Sequence, residues 1–211
     1  MFWRKVSSLL RQGVYSVMEF APGKGLDNVT DSDITLEVLR TYGELAAFDI
    51  LINNGDRIPI IHDNNGNPGN VHISGGRVVA IDNRIAPVPQ SVIERDAKAG
   101  KETYLDRVTK MVSELKKDKT SSEPIAKMRK FVELHSNEGK EWGGNAEKRT
   151  AAIYEGFMKV AKEISKLELS NFEKISKEIV SLSHDEVWQK QCEGFSDAFH
   201  AHNAEAFKAL F

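Results

Sequence analysis

Three polar residues, Asp56, Asn70 and Asp82, follow one another in an order that could support phosphoryl transfer. This chemistry asks little covalent work of a protein: a carboxylate orients and deprotonates the acceptor hydroxyl, and hard oxygen ligands hold magnesium against the phosphates. Asp56 could supply the first role, and Asn70 with Asp82 the second. Asp56 alone could be a simple turn residue, because Asn, Gly and Asp dominate turns for backbone reasons. The order of the three residues favours the chemical interpretation.

The spacing of these residues departs from the protein-kinase pattern in one place. In that pattern the catalytic Asp precedes the Asn by five residues, and the second metal ligand lies on the next strand and loop. Here Asp56 and Asn70 are 14 residues apart. The loop between them must therefore accommodate about nine extra residues, approximately residues 58–66, which we call the insert.

The elements that must position these residues fall within residues 46–84. An apolar run at 46–52 ends in the loop that carries Asp56 and Arg57. Beyond the insert, the sequence predicts a hairpin with strands at 71–73 and 78–81 and a Ser-Gly-Gly turn between them. Asn70 would directly precede the first strand of this hairpin, and Asp82 would directly follow the second.

Composition limits the classes of function. The chain has 211 residues with a formal net charge of −2, which is typical of a globular protein and argues against a dedicated nucleic-acid binder. No apolar run approaches the roughly 20 residues that span a bilayer, and the first residues lack the features of a signal peptide. We therefore expect a cytosolic or nuclear location, with the cytoplasm as the first choice. The single cysteine, Cys192, excludes an internal disulfide and is best interpreted as a packed thiol.

Before the apolar run, the pattern predicts one strand and one helical region. Residues 14–20 alternate and are rich in β-formers, so they predict a strand, and Gly23-Lys24-Gly25 predicts a turn. Residues 34–53 predict one buried helix or two short helices, interrupted by Gly43, with Asp31 or Asp33 as the N-cap.

After Asp82 almost no β signal remains, and the sequence predicts a helical region. Several helix starts are marked by Ser122, by Asn145 and by two capping boxes that begin at Ser170 and Ser183. The predicted helices cover 91–98, 102–117, 123–135, 145–168, 171–182 and 184–209.

The catalytic segment resembles that of a known family. The residues INNGDRIPIIHDNNGNPGN, followed by a hairpin and AIDNR, are similar to the catalytic loop of the actin-fragmin kinase catalytic domains, an atypical protein kinase group distantly related to phosphoinositide kinases. The resemblance implies a mainly helical α+β kinase C-lobe, ATP and Mg²⁺ as cofactors, and phosphorylation of protein Ser or Thr on an actin-like substrate.

Transferred by motif, the resemblance also implies roles for individual residues. Asp56 would be the catalytic base, and Arg57 would orient the loop. Asn70 and Asp82 would be the metal ligands. The segment Met18, Glu19 and Phe20 would be the hinge beside adenine.

The expected organisation is a single kinase-like C-lobe over residues 1–211. A hinge strand and linker would occupy 1–33, the catalytic segment 34–90 and a helical subdomain 91–211. Only thirteen residues precede Val14, and they contain neither a phosphate-covering loop nor a lysine strand, so we expect no N-lobe in this chain.

Three functions remain open from the sequence. The first is an ATP- and Mg²⁺-dependent protein kinase. The second is a non-catalytic, pseudokinase-like module that binds a partner protein, and the third is a kinase for a small molecule or a phosphoinositide. The sequence alone does not choose the acceptor, because surfaces outside the catalytic segment select it.

Overall fold

A computed structural model describes residues 23–81, 88, 90–136, 142–182 and 197–211. The predicted hinge strand and the residues Met18, Glu19, Phe20 and Asp82 lie outside the described residues, as does the capping box at Ser183. The predicted domain boundaries therefore stay predictions.

The helix that leads into the catalytic loop is a single one, α1 (Leu36–Ile52). Its N-cap is Thr35, whose hydroxyl accepts a hydrogen bond from the Val38 N–H. The prediction that Asp31 or Asp33 caps this helix is wrong. Both residues lie in a preceding 3₁₀ turn, where the Asp33 carboxylate accepts from the Thr30 N–H at 2.9 Å and is already used.

Six further helices follow the catalytic segment in the described part of the chain. The helical character predicted for this region is confirmed there, although the helix predicted from residue 145 ends at Ile164, four residues early. The capping box predicted at Ser170 is wrong, because Ser170 lies inside the helix and Asn171 Oδ1 accepts from the Glu168 N–H instead. The helices are α2 (Gln90–Lys98), α3 (Tyr104–Asp118), α4 (Glu123–His135), α5 (Ala146–Ile164), α6 (Leu169–Leu182) and α7 (Asp197–Lys208).

Helices α1 and α5 cross at unusually short distance through two glycines. A Cβ built on Gly43 of α1 would lie 2.1 Å from the Ile153 carbonyl oxygen, and one on Gly156 of α5 would lie 1.9 Å from the Arg40 carbonyl oxygen. Neither position can accept a side chain unless the backbones separate. Gly43 therefore does not interrupt the helix; it allows the contact.

We expect Gly43→Ala to destabilise the fold even though alanine is the better helix former. The methyl group would push against the α5 backbone, and overpacking of this kind costs about 1–3 kcal/mol, occasionally more. Chemical denaturation with circular dichroism detection would measure the loss. Lys148→Ala, at an exposed position of α5, is the control and should change stability little. Equal stability of the two variants would show that the crossing can relax.

The core lies between α1 and the later helices. Tyr42 of α1 is buried, and its hydroxyl donates to the Met128 carbonyl of α4 at 3.3 Å. Phe157 of α5 and Phe207 of α7 are fully buried and stack with ring centroids 6.1 Å apart. Helices α4, α5 and α7 thus pack around α1. None of the described helices has both the length and the apolar composition that a membrane crossing requires.

A small antiparallel sheet covers the other end of the catalytic segment. The predicted hairpin is confirmed as β2 (Val71–Ser74) and β3 (Arg77–Ala80). Gly75 and Gly76 form its turn with φ values of +57° and +75°, the left-handed conformation that two-residue hairpin turns require.

The sheet has a third strand that the sequence did not predict. The segment interpreted as a turn forms β1 (Lys24–Gly25), which pairs with β2 so that Lys24 is opposite Ile73. Gly23 is needed beside it, because its φ is +120° and a Cβ there would lie 2.4 Å from the Ile73 carbonyl oxygen. The α+β class is confirmed, with a three-stranded sheet in place of a lone hairpin.

Candidate active site

The end of α1 directs the chain into the Asp56 loop. Asn53 adopts a left-handed conformation with φ of +54°, and the Asn54 N–H donates to the Asp49 carbonyl at 2.8 Å. The buried Asn54 side chain then accepts from the Asp56 N–H at 3.3 Å. The Asp56 side chain is exposed, so an incoming hydroxyl can reach it.

The insert is folded back on the loop that precedes it. The Asn64 side chain donates to the Gly55 carbonyl at 2.7 Å, and the Asn67 N–H donates to the Arg57 carbonyl at 3.1 Å. Gly66 has φ of +63°, and a Cβ on it would lie 2.6 Å from the Arg57 carbonyl oxygen. These contacts bring both ends of the insert together, so the additional residues do not separate Asp56 from the hairpin.

Asn70 consequently lies beside Asp56. It ends a 3₁₀ turn, Pro68–Asn70, in which the Asn67 side chain accepts from the Gly69 N–H at 3.1 Å. Asn70 Nδ2 donates to Asp56 Oδ2 at 3.2 Å, and Asn70 is 7% exposed. Two residues predicted from their order to share a site are thus in direct contact.

The hairpin returns the chain to the same place. After β3, the Ile81 N–H donates to the Asn70 carbonyl at 3.2 Å. Asp82 is the next residue in the sequence, and its own position lies outside the described residues. Its role, like those of Met18, Glu19 and Phe20, stays a prediction.

Comparison with known proteins gives a family match over this region. Residues 2–138 match the family model described as "Actin-fragmin kinase, catalytic". The chain belongs to this family. No curated protein matches the chain. The matched region of this actin-fragmin kinase family member contains the Asp56 loop, the insert, the sheet and helices α1 to α4.

A buried ion pair lies next to the Asp56 loop of this family member. The sequence predicted a role for Arg57 but did not reveal its partner, Asp49. Arg57 and Asp49 are 0% and 1% exposed at their side chains, with Arg57 Nη2 3.6 Å from Asp49 Oδ1. Burial raises the pKa of Asp49 to about 7, while the Arg57 charge and a hydrogen bond from Asn54 act in the opposite direction. The pair fixes the residue next to Asp56 in the protein interior, which suits a positioning role for Arg57.

Two further side chains donate hydrogen bonds to the last turn of α1. The backbone carbonyls at the end of a helix have no N–H donor within the helix and need such partners. The Tyr104 hydroxyl donates to the Ile50 carbonyl, and Asn203 Nδ2 donates to the Leu51 carbonyl at 3.2 Å. Burial raises the pKa of the Tyr104 phenol. Asn203 belongs to α7, beyond the region that the family model matches, so α7 also supports the helix end that leads into the Asp56 loop.

The residues at the site are compatible with magnesium. Asn70 uses its amide nitrogen toward Asp56, which leaves its carbonyl oxygen as a hard donor of the type Mg²⁺ prefers. Among the described residues, no three His, Cys, Asp or Glu side chains cluster to form another metal site.

Proposed function

We propose that this chain transfers phosphate from ATP to a protein Ser or Thr hydroxyl, in a site built on Asp56, Asn70 and Asp82. The observation that supports the proposal most is the hydrogen bond from Asn70 to Asp56, formed across the insert. Family membership supports a kinase chemistry. The helical bulk of the described chain, with a small sheet at its catalytic end, suits the C-lobe of a kinase.

In the proposed reaction, Asp56 positions the acceptor hydroxyl and accepts its proton. One of its carboxylate oxygens accepts a hydrogen bond from the Asn70 amide, and the other has no hydrogen-bond partner among the described residues and could accept from a hydroxyl. Asn70 and Asp82 would hold magnesium, which supplies positive charge to the phosphate oxygens when bound. Met18, Glu19 and Phe20 would lie against the adenine of ATP.

The proposed acceptor is a protein in the cytoplasm, actin-like by family description. An exposed Asp56 suits such a substrate, because a hydroxyl on a protein surface must approach from solvent. A small-molecule acceptor would more often enter an enclosed cavity.

The test is a nucleotide-dependent thermal shift combined with phosphate transfer. ATP with Mg²⁺ at about 100 times its Kd should stabilise the full chain by roughly 2.7 kcal/mol, which corresponds to at least about 5 °C in Tm. The shift should depend on Mg²⁺ and should be lost in Asp82→Ala. Radiolabelled ATP should label actin or a mixture of Ser- and Thr-containing peptides.

Asp118→Ala is the matched control, since this aspartate lies at the exposed end of α3. It should retain both the thermal shift and the transfer. Absence of any nucleotide effect in the unmodified chain would refute the kinase proposal and favour a module that only binds a partner protein.

A further inference from the structure

An open groove lies between the insert and helix α4, next to the Asp56 loop. Pro59, His62 and Asn64 of the insert form one wall, and Lys130, Phe131 and Leu134 of α4 form the other. We call this surface the insert groove. Its volume of about 600 Å³ can hold several side chains of a bound segment.

The insert groove is joined directly to the proposed catalytic loop. The His62 ring packs on Gly55, where a Cβ would lie 2.7 Å from the imidazole, and Asn64 donates to the Gly55 carbonyl at 2.7 Å. Gly55 immediately precedes Asp56. If a segment of a polypeptide bound in the groove, the residues that flank this segment would therefore lie close to the proposed base, Asp56.

The walls of the groove combine apolar surface with positive charge. Leu134 is 61% exposed, so its aliphatic side chain is available to a ligand. Lys127 and Lys130 are exposed, and Lys127 pairs with Glu123 at 3.0 Å, whereas Lys130 has no ion pair within the described part of the chain.

The opposing charges do not cancel this positive character. Among the described residues, His62 and His135 also line the groove, and Asp63 is its one acidic lining residue. Burial, together with the nearby Arg107 charge, lowers the pKa of His62, so we assign no charge to it. Lys127 and Lys130 outnumber the exposed Asp63 among the described lining residues, so these three side chains together give the groove a net positive charge.

We propose that the insert groove docks the protein substrate through a segment in which an acidic residue adjoins an apolar one. The acidic side chain would pair with Lys130, and the apolar side chain would pack on the exposed Leu134. Docking beside the reacting group makes the approach of the acceptor hydroxyl effectively intramolecular. The inference rests on the proposed kinase function for its biological meaning, but the binding itself does not require phosphate transfer.

The test uses two fluorescein-labelled peptides of equal length that share a central serine, one rich in Asp and Leu and the other in Lys and Leu. Fluorescence anisotropy with the full chain should show tighter binding of the acidic peptide. Lys130→Glu should weaken that binding by about tenfold, because it places like charges together. Leu134→Ala should weaken binding of both peptides.

Lys148→Glu, an exposed lysine on α5, makes the same charge change elsewhere and should leave peptide binding unaltered. Thermal melts of the variants should match the unmodified chain, because both lysines are on the surface. Equal binding of the two peptides, or equal effects of Lys130→Glu and Lys148→Glu, would overturn the inference. Self-association that Lys130→Glu abolishes, without peptide binding, would assign the groove to a second copy and would overturn it too.

The outcomes separate this inference from the kinase proposal. Acidic peptide binding without phosphate transfer would preserve the groove and refute the kinase. Phosphate transfer to peptides regardless of acidic or basic context would preserve the kinase and refute the groove.

Discussion

Asp56→Asn should lower the rate constant for phosphate transfer by roughly 10²–10⁴, the range expected when a general base is removed. The substitution retains an oxygen that can accept from Asn70 Nδ2, so the local contact at 3.2 Å can persist. Only the ability to take a proton is lost. The thermal shift produced by ATP and Mg²⁺ should therefore remain, and KM for ATP should change little.

Single-turnover transfer from radiolabelled ATP, measured beside the thermal shift, would test this prediction. Asp118→Asn is the control, since it removes a carboxylate from the exposed end of α3 and should leave the rate unchanged. A variant Asp56→Asn that transfers phosphate at the original rate would remove Asp56 from the role of base. Loss of the thermal shift in the same variant would show that Asp56 acts in binding nucleotide.

The hairpin could be predicted because its signals are local. Apolar residues alternate in the first strand and run consecutively in the second, and two consecutive glycines with positive φ define the turn. Helix α5 was likewise predictable from the spacing of its apolar residues, and the starts of α4 and α5 were marked by Ser122 and Asn145. Local patterns of this type need no knowledge of the rest of the chain.

The folded insert was not predictable from such patterns. Its shape depends on side-chain to backbone bonds from Asn64 and Asn67 and on the close packing of Gly66 against Arg57 and Phe131. No periodicity encodes these contacts. The sequence provided the order of Asp56 and Asn70, and only the three-dimensional structure shows that the long spacing closes to a hydrogen bond.

The support of the loop from distant segments was also beyond sequence reasoning. Asn203 contacts the Leu51 carbonyl although 152 residues separate them. Asp49 gave one signal that could have been used: it is a lone carboxylate in an otherwise apolar run, eight residues before an arginine. A buried charge requires a partner, so this pattern points to Arg57.

That buried pair leads to a second large effect, expected for Arg57→Met. Methionine replaces most of the apolar stem but removes the guanidinium, which leaves the Asp49 carboxyl group buried without its opposite charge. Breaking a buried pair in this way costs about 3–5 kcal/mol of stability. Because Arg57 adjoins Asp56, the phosphate transfer rate should fall as well.

The stability loss in Arg57→Met should depend on pH, with a definite sign. The pKa of Asp49 is about 7 in the folded chain, above its ordinary value, so the folded state keeps a proton that the unfolded state releases. The contribution of Asp49 to the free energy of unfolding therefore decreases as the pH rises toward 7 and is constant above pH 7. Without Arg57 the pKa of Asp49 in the folded state rises further, and the decrease continues beyond pH 7.

Denaturant unfolding at pH 6 and pH 9 would measure the difference in free energy of unfolding between the unmodified chain and Arg57→Met. This difference should be larger at pH 9. Arg40→Met is the matched control, because Arg40 forms a comparable pair with Glu155 at 2.9 Å, but at the surface. Surface pairs contribute about 0–1 kcal/mol, so this variant should lose little stability at either pH. A loss in Arg57→Met that is no larger than in Arg40→Met, or that is equal at both pH values, would mean that water reaches Asp49 and that the pair does not hold the catalytic loop in place.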